Sequence, residues 1–131
     1  CECLTSGKVS CWGDNAHQQL GTTLHGAKLA SPDPLAFSVP MISNALDLSV
    51  DAEGACASVA SAPGASSGHV WCWGKNDRNV LNLPTNPRST TPGQIAGLSD
   101  ATQVSVGRTF GCAVRSSGQV WCWGDGALGQ A

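Results

Sequence analysis

The chain has 131 residues, of which 7 are basic and 9 acidic, so its formal net charge is -2 at pH 7. Nucleic acids and anionic membranes bind clustered positive charge, and this balance argues against both as partners. Charged residues make up 12% of the chain, with 16 Gly and 7 Pro, which is too little charge for a disordered tail and too little Pro for a stiff linker.

Large aliphatic residues are scarce, and five Trp and seven Cys stand where they would normally form a core. A chain of this length buries roughly two thirds of its unfolded surface when globular, so we expect a single domain. No apolar run approaches the ~20 residues of a membrane span. No leader precedes position 1, which is Cys rather than Met, so we expect a processed product, a fragment or part of something longer.

Three segments of the chain resemble one another, and such a repeat changes the expected fold. They read CECLTSGKVSCWGDNAHQQLG, GHVWCWGKNDRNVLN and CAVRSSGQVWCWGDGALGQ, and their Cys-Trp-Gly triplets begin at Cys11, Cys72 and Cys122. The triplets are 61 and 50 residues apart. This spacing suits one four-stranded propeller blade per repeat, with an insertion in the longer interval.

The first repeat predicts a hairpin that turns at Gly7. Its two strands place Cys1 opposite Cys11, and Cys3 then falls opposite Val9. The stretch that follows, GTTLHGAKLASPDPLAFSVP, carries several Pro residues. Because Pro is confined to sheet edges and loops, we expect this stretch to be a loop with a short edge strand.

The middle of the chain predicts a second blade. Alternating apolar residues at 46, 48 and 50 indicate a strand. The next hairpin pairs Cys56 with Cys72, and its connection SVASAPGASSGH predicts an exposed, lengthened tip. The stretch NLPTNPRSTTPGQIAGLSD is again expected to be loop with short edge strands. No segment predicts an amphipathic helix.

The third repeat gives the most detailed prediction. The loop at 116–118 ends in Gly and joins two strands that place Cys112 opposite Cys122. Strand alternation puts two apolar sets on opposite faces, and these are Cys112, Val114, Val120 and Cys122 on one side and Ala113, Trp121 and Trp123 on the other. A strand pair that is buried on both faces is typical of stacked propeller blades.

Six of the cysteines form three equivalent cross-strand pairs. Directly opposed strand positions lie ~4.5 to 5.5 Å apart at Cα, close to the ~4.4 to 6.8 Å that a disulfide requires. We therefore expect three hairpin disulfides, Cys1–Cys11, Cys56–Cys72 and Cys112–Cys122, with reduced buried thiols as the alternative. Disulfides indicate an oxidising compartment.

Cys3 is the odd cysteine. It occupies the position of Val114 in the third repeat, and we expect a small buried side chain with an unpaired thiol. The alternatives are an intermolecular link or competition with Cys1 for Cys11. A lipid-modified Cys1 is a further option.

The Trp-Gly motif recurs three times and predicts packing between blades, at Trp12, Gly13, Trp73, Gly74, Trp123 and Gly124. Trp71 and Trp121 correspond to Ser10 in the first repeat, so that position tolerates a polar residue. We expect Trp71 and Trp121 to lie in the core, with partial exposure as the alternative.

Catalytic and metal-binding patterns are missing from the sequence. Cysteine zinc sites need close C-x-x-C pairs, and only Cys1 and Cys3 lie near each other. No phosphate loop, nucleophile elbow or paired carboxylates occur, and the serines at 66–67 and 116–117 are turn formers. We expect no enzyme activity, no metal and no cofactor, and solvated side chains for His17, His25 and His69.

The segment VSVGRTFGCAVRSSGQVWCWGDGALGQ resembles the repeats of the regulator of chromosome condensation family. In that family about seven repeats close into a β-propeller, and this chain resembles two complete repeats plus half of another. Cys before Ala-Leu and Cys-Trp-Gly at the strand end look like the secreted bacterial branch. The resemblance implies an all-β chain of about 2.5 blades in the range 1–131, with repeat portions 1–30, 31–85 and 86–131.

We expect a non-catalytic propeller scaffold, secreted or at the cell surface and of bacterial origin, that binds protein partners through loops on one rim. The alternative is a regulator of an enzyme, resembling either a guanine-nucleotide exchange factor or an inhibitor. Its outer blades lack neighbours, so further repeats of the same propeller are expected to cover them. Self-association through exposed blade edges is the other option.

Overall fold

A computed structural model describes residues 1–22, 33–76, 79–81 and 88–125, without the side chains at 33–35, 88 and 90. These ranges contain ten strands and no helix, as the sequence predicted. The strands are β1 Glu2–Cys3, β2 Val9–Gly13, β3 Asp33–Ser38, β4 Ala45–Val50, β5 Gly54–Ala60, β6 Gly68–Lys75, β7 Arg88–Gln94, β8 Ala101–Val106, β9 Phe110–Arg115 and β10 Val120–Gly124.

All pairs between the described strands are antiparallel, and these strands group into three blades. Blade 1 is β1-β2-β3, blade 2 is β4-β5-β6-β7, and blade 3 is β8-β9-β10. A single residue pair, Gly68 with Ala101, links blade 2 to blade 3 in one continuous sheet. The chain is therefore a partial β-propeller, which confirms the predicted fold class.

The hairpins have the register that the sequence predicted. Cys3 lies opposite Val9 in blade 1, and in blade 3 Val114 lies opposite Val120 and Ala113 opposite Trp121. The tight tips at Gly7 and Gly118 have φ angles of 75° and 84°. An L side chain rarely adopts these angles, so each Gly permits the turn that sets the register of its hairpin.

Both Pro-rich stretches provide the predicted edge strands. Among the described residues, β3 pairs only with β2 and β7 only with β6. Backbone hydrogen bonds continue one residue beyond each edge strand, from the Val39 N–H to the Val9 carbonyl oxygen and from the Ile95 N–H to the Val70 carbonyl oxygen. The repeat portions 1–30, 31–85 and 86–131 remain a prediction. Residues 23–32 and 82–87 of these stretches lie outside the described residues.

The core consists of two layers, each of which lies between adjacent blades. Between blades 1 and 2, the layer contains Val9, Cys11, Leu20, Val39, Ile42, Ala55, Ala57, Val59 and Trp73. Between blades 2 and 3 it contains Cys56, Val70, Cys72, Val80, Leu81, Ile95, Leu98, Ala101, Val104, Ala113 and Trp123. Blades 1 and 2 therefore bury disulfide cysteines on the flank toward the next blade, and blades 2 and 3 bury Trp73 and Trp123 on the flank toward the preceding blade.

The innermost strands of blades 2 and 3 are also joined by hydrogen bonds. The Asp47 carboxylate accepts the Val104 N–H at 2.9 Å, and the Ser49 hydroxyl accepts the Val106 N–H at 2.9 Å. These two side chains accept hydrogen bonds from backbone N–H groups that have no partner in a neighbouring strand. The bonds keep the two blades in one relative position.

The glycine that ends each hairpin allows a direct test of how closely the backbone packs at that position. Gly74 and Gly13 have φ angles of 107° and 105°, so replacement by Ala strains both backbones. A Cβ at Gly74 would lie 2.6 Å from the Glu53 carbonyl oxygen, whereas no described atom lies within 4 Å of one at Gly13. We expect Gly74→Ala to lose about 1–3 kcal/mol more unfolding free energy than Gly13→Ala, measured by urea denaturation. Equal losses would contradict the close contact at Gly74.

Candidate functional site

Each buried Trp-Gly motif connects its blade to the loop that follows the preceding hairpin. The Trp73 indole N–H donates to the Gln19 carbonyl oxygen at 3.0 Å, and the Trp123 indole N–H donates to the Val80 carbonyl oxygen at 2.7 Å. Since a buried indole N–H requires an acceptor, these bonds orient both rings. A Cβ at Gly21 would lie 2.8 Å from the Trp73 ring, so only Gly permits this close approach.

The accepting loops are held by an asparagine in each repeat. The Asn15 side-chain oxygen accepts the Leu20 N–H at 3.0 Å, and the Asn76 oxygen accepts the Leu81 N–H at 2.8 Å. Both bonds join residues five apart and bring an apolar side chain into the inter-blade layer. The equal Asn-to-Leu spacing in the two repeats was the sequence signal for this arrangement.

Trp12 differs from its two equivalents. Its side chain is 44% exposed, whereas Trp73 is 0% exposed. The prediction that all three motif Trp residues pack between blades is therefore wrong for Trp12, because no described blade lies against that flank of blade 1. At the second tryptophan position Trp71 is partly buried and Trp121 is exposed, so the core prediction is wrong for Trp121.

The structure contains three disulfides, Cys1–Cys11, Cys56–Cys72 and Cys112–Cys122, with Cα atoms 3.9, 4.1 and 4.0 Å apart. These are the pairs expected from the hairpin register. Cys56 and Cys72 are fully buried between blades 2 and 3, while Cys112 and Cys122 are half-buried on the open flank of blade 3. Three disulfides are compatible with an oxidising compartment.

Cys3 has a free thiol, and it is exposed, which corrects the expectation of a buried side chain. Among the described strands, β1 pairs only with β2, so no described strand is paired to its other side. The thiol lies 3.7 Å from the Ala45 carbonyl oxygen. Partial desolvation and the negative charge of Asp47 raise the pKa of the Cys3 thiol, which keeps it protonated at neutral pH.

Charged side chains from all three blades meet on one rim of the propeller. We call this surface the tail rim and define it by His17, Glu53, Lys75 and Arg108. The Lys75 ammonium lies 2.8 Å from the Glu53 carboxylate, and the His17 imidazole lies 3.6 Å from the same carboxylate. Arg108 is exposed and lines a crevice together with Glu53 and Lys75.

The tail rim has a defined electrostatic arrangement. A hydrogen bond from Lys75 outweighs partial desolvation and, together with the charges of Lys75 and Arg108 and the neighbouring His17 imidazole, holds the pKa of Glu53 below its usual value. Glu53 therefore stays ionised at neutral pH and neutralises part of the surrounding positive charge. His17 was expected to be solvated, but it is partly buried, and its Nδ1 atom is buried without a hydrogen-bond partner in the structure.

The opposite rim carries the hairpin tips. Arg115 donates to the Asp100 carboxylate at 2.8 Å and lies over the Trp121 ring, 5.5 Å from its centre. His69 was expected to be solvated, and its Nδ1 atom forms a 2.7 Å hydrogen bond with the Gln94 side chain. The third histidine, His25, lies outside the described residues.

Within the described ranges, no three His, Cys, Asp or Glu side chains are grouped so that they could hold a metal ion. A search of the same residues finds no helix that is long and apolar enough to cross a membrane.

The Glu53–Lys75 pair predicts how stability responds to acid. Because the folded-state pKa of Glu53 lies below its unfolded value, the pair stabilises the fold at neutral pH, and this contribution is lost as the pH falls below about 4.5. We expect Glu53→Gln to reduce the acid dependence of the urea midpoint between pH 3 and 7. The same acid dependence in both proteins would show that the pair does not favour the ionised carboxylate.

Comparisons with known proteins agree with this architecture. Residues 67–114 and 101–130 each match the family described as regulator of chromosome condensation (RCC1) repeat. A search of curated protein sequences finds no significant match.

Three similar solved structures are propeller relatives at low identity. Human WBSCR16 has a TM-score of 0.73 and 16% identity, over 94% of this chain and 34% of that chain. Prp20p from Saccharomyces cerevisiae has a TM-score of 0.70 and 17% identity, over 89% of this chain and 29% of that chain. Yeast RCC1 (Prp20) bound to Kap60 has a TM-score of 0.67 and 18% identity, over 95% of this chain and 29% of that chain.

The chain thus spans about a third of the length of these structures. The two sequence matches together span residues 67–130, and the fold agreement extends over nearly the whole chain. Residues 67–130 therefore match regulator of chromosome condensation (RCC1) repeats, and the chain as a whole is similar in fold to the propellers of RCC1 structures.

Proposed function

We propose that this chain is part of a non-catalytic propeller scaffold, secreted or at the cell surface, and that its tail rim binds a protein partner. The observation that carries the proposal is that three consecutive blades contribute to one charged surface. His17 comes from the loop after β2, Glu53 and Lys75 from blade 2, and Arg108 from the β8–β9 turn.

Rigidity supports this proposal. The Glu53 carbonyl oxygen accepts a hydrogen bond from the Lys75 N–H at 2.9 Å, and the Thr109 carbonyl oxygen accepts one from the Asp125 N–H at 2.8 Å. Each rim turn is therefore hydrogen-bonded to the end of its hairpin. A surface that is ordered before binding loses little conformational entropy when a partner docks. Charged groups at such a surface control partner selection and association rate.

The relatives also support a role in protein binding. Prp20p has been described with its binding properties to Gsp1p and histones, and yeast RCC1 has been solved bound to Kap60. Shared fold is an analogy, and the propeller can serve different partners with different rim residues. For this chain the specific support is the composition of its own tail rim.

The proposed location follows from the cysteines. Disulfides persist in extracellular and periplasmic environments and are rare in the cytosol. Three of them, one per hairpin, support secretion or display at the cell surface. Intact mass before and after reduction, on protein isolated from its native source, tests this location. A protein with seven free thiols would contradict it.

The test of partner binding compares two charge reversals. Arg108→Glu changes the exposed cation of the tail rim, and Lys8→Glu makes the same change at an exposed lysine in the first hairpin tip. We expect the wild type and Lys8→Glu to capture the same protein from native extracellular material. Arg108→Glu should bind it about tenfold more weakly, measured with the purified partner.

Equal affinity of both variants would contradict a role for the tail rim. A regulator of an enzyme would use the same surface, and the captured partner separates the two roles. If the partner is an enzyme whose rate changes on addition of this chain, and Arg108→Glu reduces that change, the regulatory role replaces the scaffold role.

A further inference from the structure

The hairpin tip of blade 2 is longer than the tip of blade 3, and the function proposed above does not use it. It runs from Ser61 to Ser67, between the end of β5 and the start of β6, whereas only residues 116–119 separate β9 from β10. We call residues 61–67 the long tip. Its sequence, SAPGASS, contains three Ser, two Ala, one Pro and one Gly, so it has neither a charged nor a large side chain.

The long tip stands clear of the rest of the described structure. Five of its seven residues are exposed. No described atom lies within 4 Å of a Cβ at Gly64, whereas a Cβ at Gly7 in the first hairpin tip would lie 2.8 Å from backbone atoms of Asn44. The first tip therefore packs against blade 2, while the long tip leaves room around itself for an added group.

A Pro-Gly turn gives the long tip a defined shape. The Ala65 N–H donates to the Ala62 carbonyl oxygen at 3.0 Å, and Gly64 has a φ angle of 82°. Pro63 and Gly64 are the two central residues of this turn, an order that is typical of a type II turn. The paired strands β5 and β6 fix the base of the long tip.

The serines of the long tip differ in how their hydroxyls are used. The Ser61 hydroxyl donates to the Ser67 carbonyl oxygen at 3.4 Å, and Ser67 is half-buried. Ser66 is exposed, and its hydroxyl has no hydrogen-bond partner among the described residues. In the blade 3 tip, Ser117 is also exposed, but its hydroxyl donates to the Gln119 side-chain oxygen at 3.5 Å and accepts the Gln119 N–H at 3.4 Å. Ser66 is therefore the serine of these two tips whose hydroxyl is free to react.

The composition of the long tip suits modification better than it suits docking. Binding hot spots are enriched in Trp, Tyr and Arg, and the long tip contains none of these. Ser-rich segments that contain Pro are typical of O-glycosylated surface regions. The small residues on both sides of Ser66 also leave space for a sugar ring and for the active site of the enzyme that attaches it.

We propose that Ser66 is an O-glycosylation site, to which a glycosyltransferase attaches a saccharide from an activated sugar phosphate. The Ser66 Oγ atom forms a bond to the anomeric carbon of the sugar, and the bond from that carbon to the phosphate oxygen breaks. The phosphate leaves with the electron pair of that bond, and the hydroxyl proton passes to a base of the transferase. The hairpin tips lie on the rim opposite the tail rim, so a saccharide at Ser66 leaves the tail rim open to a partner.

Two other modifications fit the long tip less well. Phosphorylation would use the same hydroxyl, but its donor ATP is cytosolic, whereas the three disulfides favour an oxidising compartment. In this respect the inference rests on the location proposed above. Exposed tips of small residues are also preferred sites of proteolysis. A protease must bind its substrate as an extended segment, and the Pro-Gly turn between paired strands opposes that extension.

The test is peptide mass spectrometry on protein isolated from its native source. We expect the peptide that contains residues 61–67 to be heavier than its sequence requires by the mass of one or more sugar residues. Mild alkali should remove this mass by β-elimination and leave dehydroalanine at position 66. The peptide that contains residues 116–119 is the matched control and should have its unmodified mass.

Two serine variants, expressed in the native host, assign the site. Ser66→Ala should remove all of the added mass from the peptide that contains the long tip, whereas Ser117→Ala should leave that mass unchanged. Both side chains are exposed, so neither variant is expected to prevent folding.

Four results would overturn the inference. They are an unmodified long tip in native protein, a sugar that is retained in Ser66→Ala, a phosphate in place of the sugar, and cleavage within the long tip without a sugar. Thiol titration of the same sample separates this inference from the proposed location. An unmodified tip in a protein with three disulfides contradicts the glycosylation site alone, whereas free thiols in a protein that carries the sugar contradict the location alone.

Discussion

Trp73→Ala is expected to lower the free energy of unfolding by about 3–5 kcal/mol, measured by urea denaturation. The Trp73 side chain is fully buried between blades 1 and 2 and is the largest one in that layer. Its removal leaves a cavity that neighbouring strands cannot fill, and it also leaves the Gln19 carbonyl without the indole donor. The loss therefore combines a packing cost and a hydrogen-bonding cost.

Trp12→Ala is the matched control, because Trp12 occupies the same position in its own repeat. Its side chain is nearly half exposed, so we expect a loss of less than about 1 kcal/mol. Similar losses for Trp12→Ala and Trp73→Ala would contradict the inter-blade position of Trp73. They would show that both residues stabilise their own hairpins rather than the contact between blades.

Removing the Cys56–Cys72 disulfide, by Cys56→Ala with Cys72→Ala, is expected to cost about 2–4 kcal/mol of unfolding free energy. Cross-linking restricts the unfolded chain, and these two cysteines are also buried between blades 2 and 3. Their sulfur atoms fill space in that layer, so the double variant loses packing as well as the cross-link.

The Cys112→Ala with Cys122→Ala variant separates these two contributions. This pair closes a loop of 10 residues rather than 16, which changes the expected entropic contribution by only a few tenths of a kcal/mol. Its half-buried position should make its loss smaller by about 1 kcal/mol or more. Equal losses in urea would show that the buried sulfur atoms add nothing to packing, and a greater loss at Cys112–Cys122 would contradict the layer described between blades 2 and 3.

The tail rim could not be predicted from the sequence. Glu53, Lys75 and Arg108 are ordinary charged residues in turns and strand ends, and no motif relates them to one another. They meet because blades 2 and 3 stack so that the β4–β5 and β8–β9 turns lie side by side. The same is true of His17, which is 36 residues from Glu53 in the chain but lies 3.6 Å from its carboxylate.

Within each hairpin, local sequence is enough to predict the strands, the register and the antiparallel all-β class. Short turns centred on Gly7 and Gly118 leave few ways to pair their flanking strands, so opposed residues follow from counting. Which residues are buried depends instead on how the blades pack against one another. Trp12 and Trp73, or Val70 and Val120, have the same local sequence context and opposite exposure. Their burial depends on whether another blade lies against that flank, and this contact comes from residues far away in the chain.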